Sequence, residues 1–326
     1  MSLYQMGNSD HHEEMYQMFR RYPGVLVLHD YFLHSFIADR TVGKGEFAAY
    51  VREMGYSRGL SGTELAAKIL AGGSEHPEFE WPLNERLLDL SLGIAVHSQY
   101  VKGLVGALPA ERPVDVITMP MERFDAESKR QDLPWSGETI IFASVGQVTA
   151  AKQIERALRA FNLLHQQRPA TAYLIVGEPA PDVDLERMIV EMGLEASVYT
   201  TGHVSQLTDF LGWIATADVI VNLRYPTVGE TSATALRALA AGKPLIVCDH
   251  GWYSELPDDA CLKVPPHSSG QLLEAMTVLV ENAGQRETLG QAGIRYVNYH
   301  CRPAAVAEAY ASFLEKVVDN YRDQHG

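Results

Sequence analysis

With 326 residues the chain is long enough for two domains of ordinary size. Its 46% hydrophobic and 21% charged residues form a globular balance, which excludes a disordered or fibrous chain. The formal charge of −14 and pI of about 5.3 argue against nucleic acid as a partner, because an acidic surface repels phosphate backbones and leaves room only for a local basic pocket. The three cysteines, Cys248, Cys261 and Cys301, show no C-x-x-C spacing and read as buried thiols of a reducing cytoplasm. No signal peptide and no apolar run long enough to span a bilayer is seen. The expected location is therefore cytoplasmic, with a peripheral association at the inner face of a membrane left open.

The N-terminal third carries short apolar runs. Tyr4 to Asn8 is one candidate strand, and Val25 to Leu28 (VLVL) is a stronger one, ending at His29-Asp30. Phe47 to Gly72 has a helical pattern interrupted by glycines. Gly93 to Val96 (GIAV) is a strand followed by His97-Ser98 and a helix from Gln99, and Val114 to Ile117 is another strand. Residues 125–136, polar and containing Pro134, read as a linker. His11, His12, His29 and His34 stand with Asn8 and Asp30 in this third. Adjacent histidines point to different helix faces and no cysteine supports them, so a metal site is not expected; Asn8, His11 and His29 are site candidates by proximity alone, and each reads first as structural.

After Gly137 strands and helices alternate regularly. Thr139 to Val145, Ala172 to Val176, Ser197 to Thr200, Asp218 to Leu223, Leu245 to Cys248 and Cys261 to Val264 read as strands. Ala150 to Gln167 is an amphipathic helix with Ile154, Ala157, Leu158, Phe161 and Leu164 on one face. Leu185 to Met192, Leu207 to Ala215, Ser269 to Glu281 and Gln285 to Tyr299 are further helices, and Ala304 to Tyr321 is the last. This alternation predicts an α/β fold with a parallel, doubly wound sheet.

The stretch from Ala217 to Asp249, ADVIVNLRYPTVGETSATALRALAAGKPLIVCD, is the most informative. A buried strand leads into a loop holding Pro226, Thr227 and Gly229. Glu230, Thr231 and Ser232 follow at the start of an Ala/Leu helix, and Gly242-Lys243-Pro244 ends it. The carboxylate and two hydroxyls thus lie beyond the carboxyl ends of the strands, where open α/β sheets bind ligands. The helix start offers free N–H groups to an anion such as phosphate.

This segment resembles the donor-site signature of retaining glycosyltransferases of the GT-B fold, the glycosyl transferases group 1 type. Gly229-Glu230-Thr231-Ser232 matches its first part, and Ala238-Leu239-Ala240-Ala241-Gly242-Lys243-Pro244 its last. One departure is plain: the family's second Glu is missing, with Arg237 and Ala238 at that place. The resemblance implies a GT-B-like chain. It would hold a partial acceptor-side Rossmann-like domain (1–124), the linker, a complete nucleotide-sugar-binding Rossmann-like domain (137–302) and a C-terminal helix (303–326) returning to the N-terminal part. Because the chain begins almost at the strand Tyr4 to Asn8, the first half of the N-terminal domain is expected to be lacking. An exposed parallel edge left there would allow a homodimer.

The resemblance also assigns roles. Gly146-Gln147-Val148-Thr149-Ala150-Ala151-Lys152 matches the family's G-R-x-x-x-x-K turn, with Gln147 in place of Arg. Lys152 would neutralise the diphosphate of the donor as it leaves, and Gly146 and Gln147 would border it. Gly202-His203-Val204 matches a G-x-V turn that flanks the base. His203 reads equally well as a solvent-facing residue. Glu230, framed by Gly229, would accept from sugar or ribose hydroxyls, while the amides of Thr231 and Ser232 hold the β-phosphate. Lys152 and Glu230 are the catalytic candidates. No metal and no cofactor is expected beyond the nucleotide-sugar substrate, of UDP or GDP type, and the acceptor would be a glycan or a lipid-linked one. A second reading from another class stays open. Gln147, the lost second Glu and the short N-terminal part also fit a non-catalytic fragment or homologue that binds sugar nucleotide or serves as an assembly module. A dinucleotide-dependent oxidoreductase is disfavoured, since no G-x-G-x-x-G follows the first strand of either part.

Overall fold

The computed structural model describes residues 1–74, 77–106 and 112–325, and the chain forms two compact units. The N-terminal unit comprises Met1–Met119, the short segment Thr227–Thr231 and the chain from Val306 onward. Its elements are β1 (Leu3–Met6), α1 (Glu13–Arg21), β2 (Val25–Leu28), α2 (His34–Thr41), α3 (Phe47–Leu70), α4 (Glu85–Leu90), β3 (Gly93–Val96), α5 (Gln99–Gly106) and β4 (Val114–Val116). The four strands lie in the order β1-β2-β3-β4, all parallel. Among the described residues β1 pairs with β2 alone.

Alternation along β2 divides its side chains between two faces. Leu26 and Leu28 join Ile94 and Val96 under Tyr16, Phe19, Phe36, Tyr50 and Met54, all buried. Val25 and Val27 face the other way, with Ala95, onto Phe313 and Val317. Those two residues belong to the last helix, which crosses beneath this sheet. The helical run Phe47–Leu70 is bent at Arg58 and Gly59, whose φ values of −134° and +60° are not helical. The kink falls at one of the glycines that interrupt the sequence pattern. Three helices, α1, α2 and α4, have no counterpart in the sequence reading. They are 9, 8 and 6 residues long, too short for a helical period to stand out.

The C-terminal unit comprises Pro120–Pro226 and Ser232–Ala305. It holds β5 (Ile140–Val145), α6 (Ile154–Gln167), β6 (Thr171–Val176), α7 (Leu185–Glu191), β7 (Val198–Thr200), α8 (Leu207–Thr216), β8 (Val219–Asn222), α9 (Ala233–Ala240), β9 (Leu245–Cys248), β10 (Leu262–Val264), α10 (Ser269–Glu281) and α11 (Ala283–His300), and α12 (Pro303–His325) begins in it. The six strands are parallel in the order β10-β9-β8-β5-β6-β7. Phe142, Tyr173, Val219 and Ile246 bury one face of the sheet against Leu158 and Phe161 of α6 and Leu272 and Met276 of α10. The chain therefore holds two parallel, Rossmann-like α/β sheets.

Two segments sit differently from the boundaries read in the sequence. Residues 125–136, read as a linker, are docked on the C-terminal unit. The Lys129 amide donates to Thr216 Oγ1 at 2.7 Å, Lys129 Nζ pairs with Asp209 at 2.8 Å, and Trp135 Nε1 donates to Ala196 O at 3.1 Å. Arg130 pairs with Asp218 at 3.2 Å. Composition marked this stretch as irregular backbone, but the partners that hold it lie about 60 to 90 residues away in sequence. Thr227–Thr231, inside the range read as the C-terminal domain, is packed with the N-terminal unit instead.

Candidate functional site

In the C-terminal sheet the strand order reverses between β5 and β8, because β5 is followed by β6 and β7 on one side and β8 to β10 build the other. An open α/β sheet leaves a crevice at such a switch point, outside the carboxyl ends of the strands. The turns after β5 and β8 are therefore where ligand chemistry is expected, and the candidate residues Gly146 and Lys152 lie on the first of them.

Gly146 ends β5, its amide donating to Val176 O at 2.7 Å. Its φ of +95° is a left-handed value that favours glycine. A short turn, Ala150–Lys152, follows, and Gln153 at φ +52° separates it from α6. The helix thus starts at Ile154, four residues later than the periodicity from Ala150 implies, because a left-handed residue interrupts the ladder. Lys152 consequently stands before the helix, and its Nζ turns back to donate to Val145 O at 3.0 Å. It is half-buried. Loss of solvent, with a smaller contribution from the nearby Arg224 guanidinium, pushes its ammonium down to about 7. Gln147 is exposed.

The second turn is tied to the first. Tyr225 N donates to Ala151 O at 2.8 Å. Asn222 Nδ2 donates to Ser232 Oγ at 2.9 Å, and the same hydroxyl accepts from Ala235 N at 3.1 Å as the N-cap of α9. The Ser232 side chain is thereby committed to the helix, while the amides of Ser232, Ala233 and Thr234 make no hydrogen bond among the described residues. The start of α9 faces the first turn: a Cβ on Gly146 would lie 2.5 Å from Lys152 Nζ and 3.8 Å from Thr234 Oγ1. A lysine, an arginine and open helix amides thus converge on one switch point, a combination suited to a phosphate or diphosphate.

Glu230 lies in the segment grouped with the N-terminal unit. Its Oε2 accepts from Thr227 Oγ1 at 2.6 Å and from Val228 N at 2.9 Å, so half of the carboxylate shapes its own loop. Val228 O in turn accepts from the amides of Tyr31 and Phe32 at 2.7 and 2.9 Å. Gly229, at φ +85°, is packed so closely that a Cβ would come within 2.6 Å of Tyr31 Cβ. Thr231 is buried, and its hydroxyl has no hydrogen-bond partner among the described residues.

Gly202, at φ +64°, follows β7, and its backbone bridges to Gly177. Both glycines line a cavity of about 390 Å³ with Pro179, Leu185, Ile189 and Thr200. His203 is exposed and 3.6 Å from Glu178 Oε1. The structure thus sets Gly146 and Lys152 beside the first turn of α9, which Ser232 caps, places Gly202 at a separate cavity, and leaves Gln147 and His203 on the surface.

Arg224 was not singled out in the sequence. The available signal was a basic residue two positions after the strand at the motif. Of the N-terminal histidines, His34 is structural: wholly buried, it lies 3.0 Å from Trp81 O and 2.9 Å from Tyr50 OH. His11 is exposed. Among the described residues no group of three or more His, Cys, Asp or Glu is placed to hold a metal ion.

Residues 125–296, more than half of the chain, match the family Glycosyl transferases group 1. The chain belongs to this family. The chain is similar to the alpha-D-kanosaminyltransferase of Streptomyces kanamyceticus, with 25% identity over 194 residues that cover 56% of the chain and 49% of that protein. It therefore spans about half the length of that curated relative. Among solved structures, the sucrose-phosphate synthase of Thermosynechococcus elongatus superposes with a TM-score of 0.69 at 17% identity, covering 98% of the chain and 74% of the synthase. Anabaena Alr3699/HepE, solved in complex with UDP-glucose, gives 0.65 at 12% identity, covering 96% of the chain and 99% of that protein. At such identities these structures speak to the fold, an α/β GT-B architecture with two Rossmann-like sheets.

Proposed function

We propose that this glycosyltransferase moves a hexosyl or N-acetylhexosaminyl group from a nucleoside-diphosphate sugar to an acceptor hydroxyl, with retention at the anomeric carbon and without a metal. One observation carries the reading. Lys152, Arg224 and the open amides of α9 converge at the switch point of the C-terminal sheet, where charge must be stabilised as a nucleoside diphosphate departs. In the step proposed, the bond from the anomeric carbon to the phosphate oxygen breaks and the acceptor oxygen bonds to the same face. The acceptor proton passes to the departing phosphate, so no protein nucleophile is required. A donor of UDP or GDP type is proposed, and the complex of HepE with UDP-glucose favours the first.

The acceptor is proposed to be a glycan or a lipid-linked saccharide, reached from the cytoplasm or at the inner face of a membrane. Among the described residues no helix is long and apolar enough to cross a bilayer. Pairing of two copies along the β1 edge is the proposed route to a homodimer.

A calorimetric titration with UDP, GDP, ADP and dTDP identifies the base. An NMR assay of the product anomer, run with and without chelator, then tests retention and metal independence. The competing reading, a homologue that binds without turnover, draws on Arg237, which stands where relatives carry a Glu and lies over Phe210 at 5.7 Å. Nucleotide binding without transfer or hydrolysis of any nucleotide sugar would favour it.

A further inference from the structure

The last turns of α11 open onto a cavity that the donor site does not use. Ala292, Arg295, Tyr296 and Tyr299 recur at three- and four-residue spacing, so they share one face of the helix, and His300 follows beside them. Asn298 joins them, and Asp259 and Pro257 come from the segment ahead of β10. Together they line a cavity of about 530 Å³, in the size range of small-ligand sites. Ala292 contributes only a methyl, which leaves the space open. All of these residues belong to the C-terminal unit, and none to the turns after β5 and β8.

Three rings line the cavity. Those of Tyr296 and His300 lie 5.0 Å apart at 36°, and those of Tyr299 and His300 lie 4.8 Å apart at 76°, so the aromatic surface turns a corner at His300. Tyr299 is 79% exposed, more than any other large apolar side chain among the described residues. A ring left in water forgoes the gain of burial, and helix propensity does not call for one at an exposed position. The same cavity carries a polar set. Arg295 lies 3.8 Å from Asp259, both exposed, and an exposed pair of this kind adds little stability. Fold stability therefore explains neither the ring nor the pair.

We propose that this cavity binds an uncharged saccharide, with a pyranose ring laid on the aromatic corner and its hydroxyls on Asp259, Arg295 and Asn298. The ligand class follows by elimination. An anion would meet the Asp259 carboxylate, and a cation the Arg295 guanidinium. A wholly apolar ligand would strip water from both without replacing its hydrogen bonds. A pyranose offers an apolar C–H face to the rings, and each hydroxyl both donates and accepts, which suits a carboxylate, a guanidinium and a carboxamide together. The ligand class rests on the cavity alone. Its use, holding a glycan acceptor by a sugar unit other than the reacting one, rests on the glycosyltransferase reading.

The test uses the full chain and saturation-transfer NMR with maltotriose, cellotriose, mannotriose and N,N′-diacetylchitobiose at millimolar concentration, with and without saturating UDP and GDP. At least one of these saccharides should bind, with the same Kd whether or not the nucleotides are present. Tyr299→Ala should weaken that binding about tenfold or more, and Tyr299→Phe, which keeps the ring, should bind as the wild type does. Asp259→Ala removes a hydroxyl acceptor and should weaken binding about threefold or more. Both side chains are exposed, so the variants should unfold at the wild-type urea midpoint, and their nucleotide affinity should be unchanged. No binding of any of the four saccharides overturns the inference. So does displacement of the bound saccharide by UDP or GDP, which would place it at the donor site, or an unchanged affinity in Tyr299→Ala or Asp259→Ala. Nucleotide-sugar turnover is measured in parallel. Saccharide binding by a chain that turns over no nucleotide sugar overturns the glycosyltransferase reading and the acceptor role, and upholds the site. Turnover without saccharide binding at Tyr299 overturns the site alone.

Discussion

Raising the pH from 7.5 to 8.5 should weaken nucleotide-sugar binding about eightfold, and replacing Lys152 by alanine should abolish that slope. The half-buried ammonium titrates near 7 in the unliganded chain, because burial and the Arg224 guanidinium oppose its charge. A diphosphate beside Nζ favours the charged form and returns the group toward its ordinary range near 10.5. Binding therefore takes up a proton whenever the pH exceeds the free value, and affinity falls as pH rises. For a group titrating at about 7, the charged fraction drops from about 0.24 to about 0.03 across this interval, which is the stated factor. Below about pH 6 the lysine is largely charged with or without ligand and its contribution to the slope becomes small. Nucleotide-sugar phosphates do not titrate in this window. Calorimetry in two buffers of different ionisation enthalpy should count close to one proton taken up at pH 8. At pH 7, Lys152→Ala should cost about 1.5–3 kcal/mol for the nucleotide sugar and little for the nucleoside. A pH-independent affinity with no proton uptake, or equal losses for both ligands, would refute the placement of the diphosphate at Lys152.

Three further outcomes are expected. Glu230→Gln keeps the acceptor for Thr227 Oγ1 and the Val228 amide but removes the charge, so binding should fall modestly and turnover strongly; full activity would exclude the carboxylate from the reaction. Ser232→Ala removes the cap of α9 and leaves the Asn222 amide unsatisfied, which should cost about 1–2 kcal/mol in urea unfolding while the helix amides still bind phosphate. Phe161→Ala, cut from the packing between α6 and the C-terminal sheet, should cost about 3–5 kcal/mol in the same assay, and a loss below about 1 kcal/mol would contradict the packing described.

The sequence alone determined most of the C-terminal unit. Long apolar runs such as TIIFASV and an amphipathic helix bearing Leu158 and Phe161 are local patterns, and a strand buried on both faces leaves few alternatives to a parallel α/β sheet. Strands β2, β3 and β9 and helix α10 coincide with the residues read for them. The motif at Gly229–Ser232 was legible because glycine, a cap residue and a helix period fall in one frame. What only the tertiary structure decided depends on contacts between distant residues. Lys152 departs from the helix its periodicity suggested because Gln153 adopts a left-handed backbone, and its depressed ammonium comes from burial and from Arg224, 72 positions away. The docking of residues 125–136 depends on Thr216 and Asp218. His29, which sequence proximity grouped with His11 and His34, is instead joined to His97, 68 residues distant, because β2 and β3 are neighbours in the sheet. Pattern reports the face a residue presents, whereas the partner it meets is fixed by strand order, which no local period encodes.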